Sequence, residues 1–282
     1  MSITNQIKTV LLLGILTAIL LFIGSFFGRT GLTFAIIIVL AMNLITFFFS
    51  DKIILVMYKA KKTTKEEYPN LHKTVEEICK TANIPKPKIF IIPNNHSNAF
   101  ATGRSKNHSA VAVTQGILNL LNRDELKGVI AHEISHIKNN DILISTISAT
   151  IAGIITYAAM MARYAAIFGG MRDRDSGNII SILALSILAP IAALIIQLAI
   201  SRSREYIADE TGAKLIHNGK PLADALEKLR NSANQQPLKN INSSTAHMFI
   251  VNPSNLKNFL TSIFSTHPNT EDRARRLRKL KF

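Results

Sequence analysis

Apolar and polar positions alternate along the chain in long blocks. Thr9–Phe27, Gly31–Ser50, Ile142–Ala162 and Gly177–Ser201 run 19, 20, 21 and 25 residues without a formal charge. A helix crossing the hydrocarbon core needs about 20 apolar residues, so each block qualifies on length. The first two are dense in Leu, Ile and Phe. The third carries Ser145, Thr146, Ser148, Thr150 and Thr156. It fits either a span or a membrane-embedded hairpin that turns back. The first block lacks a small-residue cleavage site, and the second follows after only Gly28, Arg29 and Thr30. It is therefore expected to be a retained anchor, which makes residues 1–50 an N-terminal transmembrane hairpin.

Between the blocks the period changes to that of a folded domain. Leu71, Val75, Ile78 and Ala82 recur at helical spacing, and Pro85 and Pro87 stop the run. "KIFII" (88–92) and "AVAVT" (110–114) predict buried strands, and Asn98–Ala101 predicts a short extended piece within a loop. Thr114 is placed to cap a helix through Leu121, and Arg123 opens the next one. The pattern predicts a mainly α membrane protein with about four transmembrane helices and a small α+β domain. That domain comes in two halves, residues 51–141 and 202–282, separated by a transmembrane or membrane-embedded hairpin at 142–201.

Composition adds sidedness. Of 33 Lys and Arg, 14 lie in residues 51–141 and 14 in 201–282, with Lys8 ahead of the first block. The short loops hold only Arg29 on one hand and Arg163, Arg172 and Arg174 on the other. An even number of spans with this bias puts both large segments in the cytoplasm. The net charge of +15 does not point to nucleic acid, because no basic stripe interleaves with aromatics and there is no Trp. Basic flanks beside spans meet membrane lipids instead. His72, His96, His108, His217 and His247 have no helical partner and are expected at the surface. The single Cys79 excludes a disulfide framework.

The chemistry is concentrated in "DELKGVIAHEISHIKNNDILIS" (124–144). His132 and His136 stand four residues apart on one helix face, so both imidazoles can bind one cation. Glu133 projects from the adjacent flank, where it can act on a water without being a ligand. A zinc hydrolase needs this arrangement, with a carboxylate to take the water's proton. A third ligand is still required. "SRSREYIADETGAKL" reads as a helix continuing out of the fourth block, with Glu205 and Asp209 again four apart. Either carboxylate can serve as ligand, leaving the other to fix a histidine tautomer.

"AHEISHIKNND", "SRSREYIADETGA" and "STHPNTEDRARRL" occur in the order found in the HtpX family of membrane-bound zinc metallopeptidases, which the chain resembles over nearly its whole length. These enzymes are related to the CAAX prenyl endopeptidases and belong with the zincins whose third ligand is glutamate. No motif position departs from the family's pattern, although Asn139-Asn140 is unusual where a glycine is common. The resemblance implies one zinc ion on His132, His136 and Glu205, with Glu133 as general base. It further implies Asp209 as the carboxylate behind a ligand histidine; Arg273 can pair with Asp209 or face solvent. "NAFATG" resembles the family's substrate strand, with Asn98 binding substrate backbone, and His267 resembles the histidine that stabilises the oxyanion. The function implied is cytoplasm-facing hydrolysis of misfolded or regulatory membrane proteins, at the inner membrane of a bacterial-type cell and under stress. Two alternatives compete: an intramembrane zinc protease, and a zinc-binding membrane scaffold without activity. Lys127, Lys138 and Asp141 beside the motif argue against the first, and one Cys argues against the second.

Overall fold

A computed structural model describes residues 28–147, 202–235 and 268–282, together with isolated positions before residue 28. The first apolar block therefore lies largely outside the described residues, as do the fourth block and all of the third beyond residue 147. The element order is α1 (Gly28–Met57), β1 (Lys61–Lys62), α2 (Pro69–Ala82), β2 (Lys88–Ile92), β3 (Ala99–Ser105) and β4 (His108–Thr114). It continues with α3 (Gln115–Leu120), α4 (Arg123–Lys138), α5 (Arg202–Leu215), α6 (Lys220–Gln235) and α7 (Thr270–Lys279).

Among the described residues no single helix is long and apolar enough to cross a membrane. Two arms of α1, Leu32–Ile45 and Phe47–Met57, meet that test together across a 71° bend. Phe34, Ile37, Leu40, Leu44 and Val56 lie exposed along α1. Water would penalise such a surface by about 25 cal/mol per Å², whereas hydrocarbon would not. The helix continues past Ser50, where the apolar block ends, because Asp51 and Lys52 are followed by Ile54 and Leu55. Those two are buried against Ile92, Phe100, Ala110 and Ala112, so the end of α1 is part of the folded domain.

Four strands form one sheet in the order β1-β2-β4-β3. β2 runs parallel to β4, and the β3–β4 hairpin is antiparallel. Strand β3 is longer than the short extended piece expected from Asn98–Ala101. A register shift lies between Gly103 and Ser105, and the chain turns back at Lys106 and Asn107. Gly103 has φ +138°, and a Cβ there would meet the His108 carbonyl oxygen at 2.2 Å, so only glycine fits. Alternation divides the sheet's faces. Ala99, Ala101, Val111 and Val113 face the main core, while Phe100, Ala110 and Ala112 face the end of α1.

The main core is completed by helices. Pro69 opens α2, and Asn83 ends it in the left-handed region with φ 54°. Thr114 caps α3 by accepting the Ile117 N–H at 3.2 Å. A reciprocal capping box fixes the start of α4: Asn122 accepts the Glu125 N–H and Glu125 accepts the Asn122 N–H, both at 2.9 Å. Val129, Ile130, Ile134 and Ile137 of α4 are fully buried. Helix α5 crosses α4 at Gly212, where a Cβ would stand 2.9 Å from the His132 backbone nitrogen. Helix α7 is fastened to α6 by Arg278, which pairs with Asp224 at 2.9 Å and Glu227 at 2.7 Å, and by the Arg230–Glu271 pair.

Candidate metal centre and active site

His132 and His136 project from successive turns of α4 and stand edge to face, with ring centroids 4.8 Å apart. Their Nε2 atoms are 3.3 Å from each other. From α5, Glu205 brings one carboxylate oxygen to 3.8 Å from His132 Nε2 and the other to 3.6 Å from His136 Nε2. All three donor atoms lie within 4.8 Å of one another. Ligand bonds of 2.0–2.2 Å at tetrahedral angles separate donor atoms by about 3.3–3.6 Å. The spacing thus matches what a small divalent cation needs.

The outer nitrogens explain why the inner ones carry lone pairs. His132 Nδ1 lies 2.9 Å from Asp209 Oδ1, a close approach without good hydrogen-bond alignment. His136 Nδ1 lies 3.4 Å from Asp141 Oδ2. With each Nδ1 proton turned toward a carboxylate, both Nε2 lone pairs point into the space beside Glu205. Three electron-rich groups then converge, an Arg273 terminal nitrogen lies 3.5 Å from His132 Nε2, and a divalent cation suits the space between the three. Charge makes the same case. Glu133, Asp141, Glu205 and Asp209 are buried, as is Arg273, while Arg204 is half-buried with both terminal nitrogens enclosed. Among the described residues, four carboxylates and two guanidiniums leave two negative charges, which a divalent ion would balance. When no ion is bound, a proton substitutes in part: burial pushes the His136 pKa down, but Asp141, Glu205 and Glu133 outweigh it and raise it to about 9.

Behind Asp209 sits Arg273 from α7, 1% exposed. Its Nε donates to one Asp209 oxygen at 2.8 Å and a terminal nitrogen donates to the other at 2.7 Å. Another terminal nitrogen is 3.6 Å from Glu205. Burial pushes the Asp209 pKa up, and the Arg273 charge and hydrogen bonds overcome it, so the carboxyl stays ionised below its usual range. Of the two placements open for Arg273, pairing with Asp209 or facing solvent, the structure has the first.

Glu133 is buried on the flank of α4, and its Oε2 accepts the backbone N–H of Ala101 at 2.8 Å. Burial is the largest influence on its pKa, which is raised. A carboxylate held nearer neutrality is better suited to taking and returning a proton. Ala101 lies on β3, whose outer edge runs beside α4. Asn98 is buried just before that strand, with its backbone N–H donated to Thr114 Oγ1 at 2.9 Å and its carbonyl accepting the Thr114 N–H at 2.9 Å.

His132, Glu133, His136, Glu205, Asp209 and Arg273 therefore come together, and Asn98 lies three residues before Ala101, the residue whose N–H meets Glu133. His267 lies outside the described residues, one position before Pro268. Three participants have no counterpart in the sequence-based site. Asp141 was signalled by its place five residues after His136, at the turn that closes α4. Thr146, in the polar-flecked third block, reaches the sheet edge, and Arg204 contributes charge. His72 corrects an expectation: it is buried, with Nε2 2.8 Å from Thr63 Oγ1, because α2 packs that face against the β1 end of the sheet.

The family profile described as Peptidase family M48 matches residues 65–281. The chain is 53% identical over 284 residues to a Protease HtpX homolog of Pyrococcus furiosus, covering 99% of this chain and 97% of that one. It is 47% identical over 281 residues to a Protease HtpX homolog of Syntrophobacter fumaroxidans, covering 98% and 99%. The crystal structure of S. mikatae Ste24p shares the fold, with a TM-score of 0.50 at 22% identity. That likeness covers 98% of this chain and 66% of the longer one.

Proposed function

The chain belongs to peptidase family M48 and is a metalloendopeptidase, and we propose that its metal is a single zinc ion held by His132, His136 and Glu205. The observation that carries the proposal is the convergence of these three donors at 3.3–3.8 Å, with Glu133 on the adjoining flank. When bound, zinc polarises the attacking water and the scissile carbonyl. Glu133 takes the proton from the water as it attacks the carbonyl carbon, then returns it to the leaving amine nitrogen. Asp209 and Asp141 hold the two imidazoles in the tautomer that presents Nε2, and Arg273 keeps Asp209 ionised. A substrate peptide lies along the edge of β3, pairing its backbone with the outward groups of Ala99 and Ala101. The Asn98 amide binds that backbone, and His267 donates to the oxyanion.

The proposal extends to place and substrate. The apolar surface of α1 supports a membrane anchor, and the remaining apolar blocks supply further spans, about four in all. The bias of Lys and Arg toward the two large segments supports a site facing the cytoplasm at the inner membrane. A site in that position meets cytosolic loops and unfolded segments of membrane proteins, which makes quality control its task. Reporters fused after Ala60 and at the C-terminus should both read cytoplasmic, and one inserted near Gly170 should read the opposite face.

The direct test is Glu133→Gln. The amide is close in shape but cannot accept the water's proton, so metal stays bound while cleavage of an unfolded protein substrate is lost. Chelation followed by zinc restores only the unmodified enzyme. Substantial turnover by a zinc-loaded Glu133→Gln protein would remove Glu133 from the role of base.

A further inference from the structure

Strand β3 is an edge strand, and its backbone groups divide by parity. The Asn98 carbonyl pairs inward with Thr114, and the β3–β4 register places Phe100 opposite Ala112 and Thr102 opposite Ala110. Ala99, Ala101 and Gly103 therefore present their N–H and C=O groups outward. Two of those outward donors already have partners within the chain. The Ala101 N–H is donated to Glu133, an acceptor that a substrate carbonyl can replace. The Gly103 N–H is donated to Thr146 Oγ1 at 3.2 Å. Thr146 belongs to the helical residues 142–147 that begin the third apolar block, and it is fully buried. Its hydroxyl also lies 3.0 Å from Thr102 Oγ1.

We propose that Thr146 closes the substrate-pairing edge of β3 at Gly103, so that an extended peptide pairs with Ala99 and Ala101 and no further in that direction. The inference rests on β3 being the substrate strand. Gly103 lies two residues beyond Ala101, about 7 Å at the usual strand rise. A peptide cut opposite Glu133 reaches the closure within roughly three residues on that side and must then turn away. Thr146 is thus a residue that determines specificity without touching the reacting atoms. The substrates it favours are short extended stretches flanked by a turn or by a helix end. Long β-strands, which need continuous pairing on both sides, are disfavoured. The Thr146 hydroxyl has a reason here, since a buried Gly103 N–H without an acceptor would be costly.

The test is an ester-for-amide scan of a good peptide substrate on the full-length, zinc-loaded enzyme. Replacing a backbone N–H that pairs with β3 should lower kcat/KM roughly 2- to 12-fold. On the Thr146 side, sensitivity should stop after about three residues, while the other side has no such limit imposed by Thr146. Loss of sensitivity at every position would reject β3 as the substrate strand. Sensitivity continuing past the third residue on both sides would keep β3 and reject the closure. Thr146→Ala, which removes the side chain beside Gly103, should extend sensitivity by one outward position in folded, metal-loaded protein. Thr146→Ser should keep the original pattern. A Thr146→Ala scan identical to the unmodified enzyme's would overturn the assignment to this residue.

Discussion

The two histidines of the centre are supported in opposite ways. His132 depends on distant sequence: Asp209 from α5 approaches it at 2.9 Å, and Arg273 from α7 grips both oxygens of that carboxylate. His136 depends on its own neighbourhood. Asp141, five residues on, donates its backbone N–H to the His136 carbonyl at 2.9 Å and places its carboxylate 3.4 Å from the same residue's ring. Arg204 contributes to the charge near Asp141 without a hydrogen bond from its terminal nitrogens. One histidine thus reports on the complete tertiary fold, and the other on a local turn at the end of α4. The difference separates assembly of the site from its fine orientation.

The largest effect should come from erasing the comparison. Glu205→Ala removes the donor that faces both histidines. Zinc affinity should fall by more than the 10- to 100-fold typical of an outer carboxylate, and cleavage should vanish. Zinc that survives dialysis at one ion per chain would assign the third ligand elsewhere.

Arg273→Met acts chiefly on the His132 branch, with a smaller effect through Glu205, 3.6 Å away. It leaves Asp209 buried without its guanidinium partner, which should cost about 3–5 kcal/mol of stability by denaturant unfolding. Adding Asp209→Asn should recover much of that loss, because the stranded charge is gone. A double variant no more stable than Arg273→Met would show that packing of the guanidinium, not its charge, is what matters.

Asp209→Asn and Asp141→Asn sharpen the contrast at smaller scale. Each should weaken zinc about 10- to 100-fold, measured by competition with a chelating dye. The Asp209 change should be the larger, since its contact is shorter by half an ångström. Equal losses would mean that the local branch orients its histidine as firmly as the tertiary one.

A last effect is a dependence on pH in the metal-free protein. His136 has its folded pKa raised to about 9 from an unfolded value of 6.5. Its protonation therefore stabilises the fold fully below pH 6.5, and that contribution is lost as pH rises through about 9. The melting temperature of metal-free protein should fall over this window, and zinc should flatten the dependence by displacing the proton. Asp141→Asn should lower the upper end of the window.

Sequence pattern revealed the site's local parts. The i, i+4 histidines, the adjoining Glu133 and the paired Glu205 and Asp209 follow from helical periodicity. The strands at 88–92 and 110–114 were legible because they are short apolar runs closed by turns. Pattern could not show which of two carboxylates faces the histidines, because that depends on the crossing of α4 with α5. Nor could it show that α1 continues to Met57, since a helix carrying Asp51 and Lys52 looks finished until Ile54 and Leu55 find the sheet. Strand β3 was underestimated because Gly103 and Arg104 carry little strand signal, and pairing of Thr102 and Gly103 with β4 extends the strand past them. His72 misled because its single partner, Thr63, sits outside its own helix.

Gly212 has one further consequence. It lets the backbone of α5 approach His132 so closely that a methyl group would meet the main chain at 2.9 Å. Substituting alanine there would push α5 outward by a few tenths of an ångström and carry Glu205 away from both imidazoles. The donor triangle would open beyond the spacing that bonds of about 2.0–2.2 Å require. The spacing of the three donors is therefore set at the crossing of two helices, by a residue with no side chain.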